Sequence, residues 1–99
     1  MEIVYSKNLT KKMQDEKAIA KNYGALKSRI LLCLSVLIAA GSLGDVPNVL
    51  PTRRHKLIGK ADVWALDLSA NWRMLIKALD GNDPASTTKV EVIGIEDYH

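Results

Sequence analysis

The chain has 99 residues, of which 47% are hydrophobic and 25% charged, and its formal net charge is +3. These figures indicate one globular domain over residues 1–99 and exclude a multidomain enzyme or a disordered tail. A lone cysteine excludes a disulfide-stapled secreted scaffold, so a cytoplasmic protein is expected. The longest apolar stretch, residues 30–40, is too short to cross a bilayer, which needs about 20 residues. We therefore expect no membrane association.

The N-terminal part of the chain is predicted to form one strand and one helix. Residues 2–6 are a β-branched and aromatic run, which is typical of a strand. Asn8 is suited to cap a helix over residues 9–22, in which Asp15 offers a second N-cap. Gly24 is expected to break that helix.

The strongest helical pattern in the sequence covers residues 25–40. Apolar side chains recur at helical spacing along one face: Leu26, Ile30, Cys33, Leu34 and Leu37. The other faces are apolar too, so this helix needs cover on more than one side. Either a position between a sheet and another helix or a partner protein would provide that cover. Gly41 is expected to cap the C-terminus.

After a loop over residues 42–52, which contains Pro47 and Pro51, the apolar period changes to two. This period predicts four strands, over residues 53–58, 63–68, 72–79 and 89–98. The short connections between them favour antiparallel pairing. The sequence thus predicts an α+β fold with two N-terminal helices packed on an antiparallel sheet of four to five strands.

The small net charge conceals an uneven distribution. Residues 7–29 hold seven basic and two acidic residues, whereas residues 80–99 hold five acidic residues and one lysine. The first of these clusters is typical of a solvated helix face. A third cluster has four cations and a histidine within eight residues: Arg53, Arg54, His55, Lys56 and Lys60. That density on a predicted strand suits contacts with phosphate groups.

Candidate catalytic residues are few. His55 and His99 are the two histidines, and a histidine pair can supply a general base and a general acid near neutral pH. Metal ligation is the competing function, but two distant histidines and Cys33 have no recognised ligand spacing. Cys33, in the middle of a helix on its apolar face, is expected to behave as a small hydrophobe. No metal or cofactor is therefore expected.

Arg73 is the remaining candidate. The period of two places Trp72, Met74 and Ile76 on one face of a strand and Arg73 on the other. Such an arginine can pair with Asp67 on the neighbouring strand or serve a functional site, and the local sequence leaves both alternatives open.

The sequence resembles the RelE/ParE superfamily of bacterial toxins and, within it, the HigB-like plasmid-maintenance killer proteins. The resemblance covers most of the chain through an ordered set of short motifs: Asp15-Glu16-Lys17, Leu50-Pro51, His55-Lys56-Leu57-Ile58-Gly59, Trp64-Ala65-Leu66-Asp67-Leu68, Asn71-Trp72-Arg73 and Glu96-Asp97-Tyr98-His99. It implies a fold of two N-terminal helices against an antiparallel sheet. It also implies metal-independent cleavage of messenger RNA on the 70S ribosome and neutralisation by a cognate antitoxin, commonly a helix-turn-helix HigA-like protein.

Carried over by position, the resemblance implies a catalytic set comprising His55, Arg73, Asp97, Tyr98 and His99. Arg53, Arg54, Lys56 and Lys60 would then hold the RNA backbone. Two departures matter: Ile58 stands where the family usually has a lysine, and Ala70 stands where the turn before Asn71 usually has a glycine. Two alternatives remain open: a ParE-like toxin of the same fold that poisons DNA gyrase and, because of Ile58, a catalytically weak relative that only binds its partner.

Overall fold

The computed structural model describes residues 1–97 as a five-stranded sheet with a helical layer on one face. The sheet order is β1-β5-β4-β3-β2. Its strands are β1 (Glu2–Tyr5), β2 (His55–Lys56), β3 (Val63–Asp67), β4 (Trp72–Ala78) and β5 (Lys89–Asp97). The predicted α+β class is thus present.

The sheet is mixed, so the expectation of a purely antiparallel sheet is wrong. β2, β3, β4 and β5 pair antiparallel in sequence order, but β1 runs parallel to β5, with Ile3 opposite Val90. Short connections dictate the direction of consecutive strands only. β1 and β5 are joined through all the intervening chain, and a connection of that length permits parallel pairing.

The helical layer is one long segment, Glu16–Ala39, rather than the two helices predicted. It consists of α1 (Glu16–Tyr23), a 3₁₀ turn (Gly24–Leu26) and α2 (Lys27–Ala39). Gly24 does interrupt the helix, at a φ of +47°, but only for one turn before α2 continues. By length and composition this segment would also qualify as a membrane span, as many core helices of soluble proteins do.

The predicted helix start at Asn8 is wrong as well. Residues 7–13 form turns, and the Asn8 carboxamide oxygen accepts a hydrogen bond from the Ser6 hydroxyl at 2.7 Å instead of capping a helix. α1 begins after Asp15, whose carboxylate accepts the Ala18 N–H at 2.8 Å. The second of the two predicted caps is therefore the one that the fold uses.

The C-terminus of α2 is closed by a contact that the sequence did not indicate. The N-terminal amine of Met1 donates to the carbonyls of Leu37 and Ile38, at 3.2 and 3.0 Å. Gly41, the expected cap, does not adopt a positive φ. A cation at this position also complements the negative end of the helix dipole.

The two faces of the sheet are covered to different extents. On one face, Ile30, Cys33, Leu34 and Leu37 of α2 join the main core, as their spacing predicted. The opposite face, called the open face below, has a small apolar cluster of Val63, Ala65 and Leu75, with Leu57 and Ile93 partly buried against it. Within residues 1–97, the residues packed in the open-face cluster all come from strands or from the loop after β2, and none comes from a helix.

The structure makes a prediction about two glycines with positive φ in loops. A Cβ at Gly81 (φ +74°) would lie 2.6 Å from the Ser86 backbone, whereas a Cβ at Gly59 (φ +81°) would meet nothing within 4 Å. Gly59→Ala should cost about 1 kcal/mol of unfolding free energy, the backbone strain alone. Gly81→Ala should cost at least twice as much in urea unfolding, because Ser86 must also move. Equal losses in the two variants would contradict this account.

Candidate functional site

Strand register brings two of the predicted site residues onto the open face. His55 is paired with Ala65, and Asp67 is paired with Arg73. Paired residues of antiparallel strands project to the same face, and Ala65 belongs to the open-face cluster. His55 and Arg73 therefore share one face, with β3 and Asp67 between their strands.

The carboxylate of Asp67 is held by two arginines from different parts of the chain. Arg53 binds it in a bidentate fashion, with Nε 2.5 Å from Oδ2 and Nη2 2.9 Å from Oδ1. Arg73 Nε lies 3.0 Å from Oδ1. Only 8% of Asp67 is exposed, and its hydrogen bonds raise the pKa of Arg53. Two guanidinium groups on one carboxylate leave the site with net positive charge.

The backbone of Asp67 ties the same point to the helical layer. Its carbonyl accepts hydrogen bonds from Arg29 Nη2 at 3.1 Å and from Cys33 Sγ at 3.7 Å, and its N–H donates to the Thr52 carbonyl at 2.8 Å. Arg29 Nε is buried and has no hydrogen-bond partner within residues 1–97. A third guanidinium group therefore binds the backbone of the residue whose carboxylate the other two hold.

Arg73 adopts the pairing that was one of its two predicted alternatives. Besides Asp67, its guanidinium donates to the carbonyls of Ser69, Trp72 and Ala70, at 2.8, 3.0 and 3.2 Å. These contacts fold the side chain over the β3–β4 hairpin and leave it 15% exposed. The guanidinium is thus fixed in position, and its catalytic role stays a prediction.

His55 has a defined orientation. Its Nδ1 lies 2.8 Å from the carbonyl oxygen of Arg53. A carbonyl only accepts hydrogen bonds, so Nδ1 bears the proton in the neutral ring. Nε2 is then the nitrogen left to accept one.

The basic segment over residues 53–60 is less extended than predicted. Arg53 adopts a φ of +45°, so the expected strand shrinks to the two residues of β2. Arg54 donates to the Val46 carbonyl at 2.9 Å and lies 4.9 Å from the Trp64 ring centroid; burial lowers its pKa. Lys56, exposed like Lys60, donates to the Lys60 carbonyl. Two cations of this segment therefore hold the fold, and two lie at the surface.

Of the three C-terminal candidate residues, the structure describes Asp97 alone. Asp97 ends β5 opposite Trp72, at the same end of the sheet as the Arg73–Glu96 pair. Tyr98 and His99 lie outside the described residues. The proximity of this triplet to His55 stays a prediction.

Neither metal binding nor thiol chemistry gains support from the described residues. Residues 1–97 contain no group of three or more His, Cys, Asp or Glu side chains placed to hold a metal ion. Burial raises the pKa of the Cys33 thiol from 9.0 to about 11. Cys33 is thus the small buried hydrophobe that was predicted.

Sequence reasoning missed Arg29, which it assigned to the solvated helix face. A signal was present, because Arg29 precedes the buried Cys33 by four residues and so lies on the buried side of α2. Thr52, wholly buried with its hydroxyl donating to the Pro47 carbonyl, was missed too. Nothing local in the sequence distinguishes it from other loop threonines.

No protein-family model matches the chain, and no curated protein matches it either. A solved structure does, the YoeB/ParE toxin from Agrobacterium tumefaciens. The match covers 100% of both chains with a TM-score of 0.62 at 15% sequence identity. At that identity the likeness shows a shared fold, so the expected RelE/ParE-like fold is supported. HigB-like identity is not shown by it.

Removing the Asp67 charge should be strongly destabilising. Asp67→Asn leaves Arg53 and Arg73 facing each other without their carboxylate, and loss of one partner from a buried pair costs roughly 3 kcal/mol or more. Glu96→Gln is the matched control, since Glu96 is an exposed acid opposite Arg73. It should change the unfolding free energy by less than about 0.5 kcal/mol. Equal effects in chemical denaturation would contradict the role given to Asp67.

The Cys33 thiol should be inert in the native protein. At pH 8 a disulfide reagent such as DTNB should leave it unmodified and should react at once after unfolding in guanidinium chloride. Between pH 9 and about pH 11 the native thiol keeps a proton that the unfolded chain has lost, so this group makes stability fall as pH rises. Cys33→Ala should flatten that fall. Rapid labelling of the native protein would show that the helix–sheet contact opens readily.

Proposed function

We propose that the chain is the toxin of a type II toxin–antitoxin system, a HigB-like member of the RelE/ParE superfamily that cleaves messenger RNA on the ribosome. The observation that carries the proposal is the open face. There an oriented histidine shares a surface with an arginine-rich site centred on one carboxylate. The fold shared with a YoeB/ParE toxin supports it.

Metal-free RNA cleavage needs a base, an acid and cations. The ribose 2′-hydroxyl attacks the adjacent phosphate, the base takes its proton, and the acid protonates the departing 5′-oxygen. Because Nδ1 of His55 is directed at a carbonyl, Nε2 is suited to be the base. We assign the acid to His99, with Tyr98 and Asp97 assisting it.

The arginines would stabilise the negative charge that develops on the phosphoryl oxygens. Arg73 is fixed by its hairpin contacts and so needs little reorganisation during the reaction. Arg53 keeps 42% of its side chain exposed while it holds Asp67, so it can reach a phosphate from there. Arg54, Lys56 and Lys60 would hold the RNA backbone beside β2.

The proposed partners are the 70S ribosome, messenger RNA and a cognate antitoxin, a helix-turn-helix HigA-like protein, in the cytoplasm. The outer face of α2 is the surface we assign to the antitoxin. Leu32 and Ile38 are exposed there, and no charged residue occurs between Arg29 and Asp45. An uncharged apolar face of this kind suits a protein partner.

Cleavage by purified protein on programmed 70S ribosomes, mapped by primer extension, tests the nuclease. His55→Ala and His99→Ala should each reduce the cleavage rate by about 10²–10⁴-fold, the usual contribution of general acid–base catalysis. Both should unfold at the wild-type denaturant concentration. Lys77→Ala, which removes an exposed charge from β4, should cleave at the wild-type rate. Full activity in a stably folded His55→Ala protein would refute the assignment.

A partner-binding relative is the second candidate, and Ile58 is the feature that favours it. This residue is 97% exposed. It stands where the family that the sequence resembles usually has a lysine. Absence of cleavage by the wild-type protein, with antitoxin binding intact, would support this candidate. A DNA damage response without cleavage would instead indicate a gyrase poison.

A further inference from the structure

A second basic surface lies in the helical layer, away from the open face. It is a cleft of about 390 Å³ between residues 11–14 and α1. Four lysines line it, Lys11, Lys12, Lys17 and Lys21, together with Asp15 and Ala18. This group is called the lysine cleft below.

The fold places these lysines around one concavity by burying their neighbours. Leu9 and Met13 are buried one turn apart, so the lysines between them project outward. Ile19 is buried on the inner side of α1, which leaves Lys17 and Lys21, four residues apart, on the outer side. The convergence therefore follows from core packing.

The positive charge of the lysine cleft is only partly balanced within the described chain. Four lysines face one lining carboxylate, that of Asp15, which also caps α1, and Glu16 pairs with Lys27 at 4.0 Å. Within residues 1–97 none of the four lysines has an ion pair or a side-chain hydrogen bond. Like charges around a concave surface repel one another and focus a positive potential into it. The surface is thus suited to a polyanion.

We propose that the lysine cleft binds the phosphate backbone of RNA, as a contact separate from the open face. Its lining distinguishes RNA from an acidic protein partner. Ala18 is the one apolar residue among those that line it, and there is no aromatic side chain. Protein interfaces depend on buried apolar and aromatic anchors, which this surface lacks. Lysine ammonium groups are point charges that suit phosphates without reading sequence.

The position of the cleft defines which RNA it meets. α1 packs through Ile19 into the core on the helical side of the sheet, whereas His55 lies on the open face. A short RNA bound at His55 would have to pass around the domain to reach the cleft. The cleft therefore contacts a different RNA segment from the one that is cleaved. This step rests on the proposed function, in which the open face holds the RNA that is cleaved.

Two double variants with equal loss of charge test the proposal. Lys17→Gln/Lys21→Gln alters the cleft, and Lys7→Gln/Lys77→Gln removes two exposed positive charges that line no part of it. The probe is a short fluorescein-labelled single-stranded RNA, titrated by anisotropy between about 50 and 200 mM salt. The cleft variant should reduce the slope of log K against log salt by about 1.4, because each phosphate contact on single-stranded RNA contributes about 0.7. The Lys7→Gln/Lys77→Gln variant should leave the slope close to wild type.

Equal slopes in the two variants would overturn the proposal, since the cleft would then act only through net charge. An unchanged RNA slope together with lost binding of poly-L-glutamate would also overturn it and identify an acidic protein as the occupant. The measurement involves neither ribosomes nor cleavage. A slope difference in a chain that fails to cleave messenger RNA would therefore support the cleft and reject the nuclease.

Discussion

The buried carboxylate of Asp67 is the interaction on which the arrangement of the open face depends. Burying one carboxylate is costly unless charged donors surround it, and here Arg53 and Arg73 supply them. The same residue binds Arg29 and Thr52 through its backbone. The loop before β2, the β3–β4 hairpin and α2 are therefore joined at one point. Because the cations outnumber the acid, the contact that stabilises the fold also makes the surface positive.

This arrangement changes how the basic segment is expected to act. From the sequence, Arg53 and Arg54 resemble free phosphate contacts, whereas the structure commits both to contacts within the fold. Fixed guanidinium groups lose less conformational entropy when an anion binds than free ones do. The carbonyl of Arg53 also orients His55. The histidine and the cations are thus positioned by one loop, and that loop is held by Asp67.

Local patterns predicted the parts of the structure that have local causes. The period of two placed β3, β4 and most of β5, and it put Arg73 on the face opposite Trp72. Helical spacing identified the buried side of α2. Parallel pairing of β1, the two-residue β2 and the burial of Arg29 all depend on distant contacts, the last two at Asp67. No window of a few residues contains that information, and Tyr98 and His99 lie beyond the described chain.

The net charge of +3 understates the positive surface of the lysine cleft, because five of the eleven acids lie in residues 80–99, at the other end of the chain. Asp80 accepts hydrogen bonds from Thr88 and from the Lys89 N–H, contacts that lower its pKa, and Asp83 caps the 3₁₀ turn that follows it. Asp67 is enclosed by arginines. These carboxylates contribute to turns, caps and the sheet and are poorly placed to offset distant lysines. Since four lysines and one acid, Asp15, line the lysine cleft, positive charge remains there for an anionic ligand, and the sum over the chain does not report it.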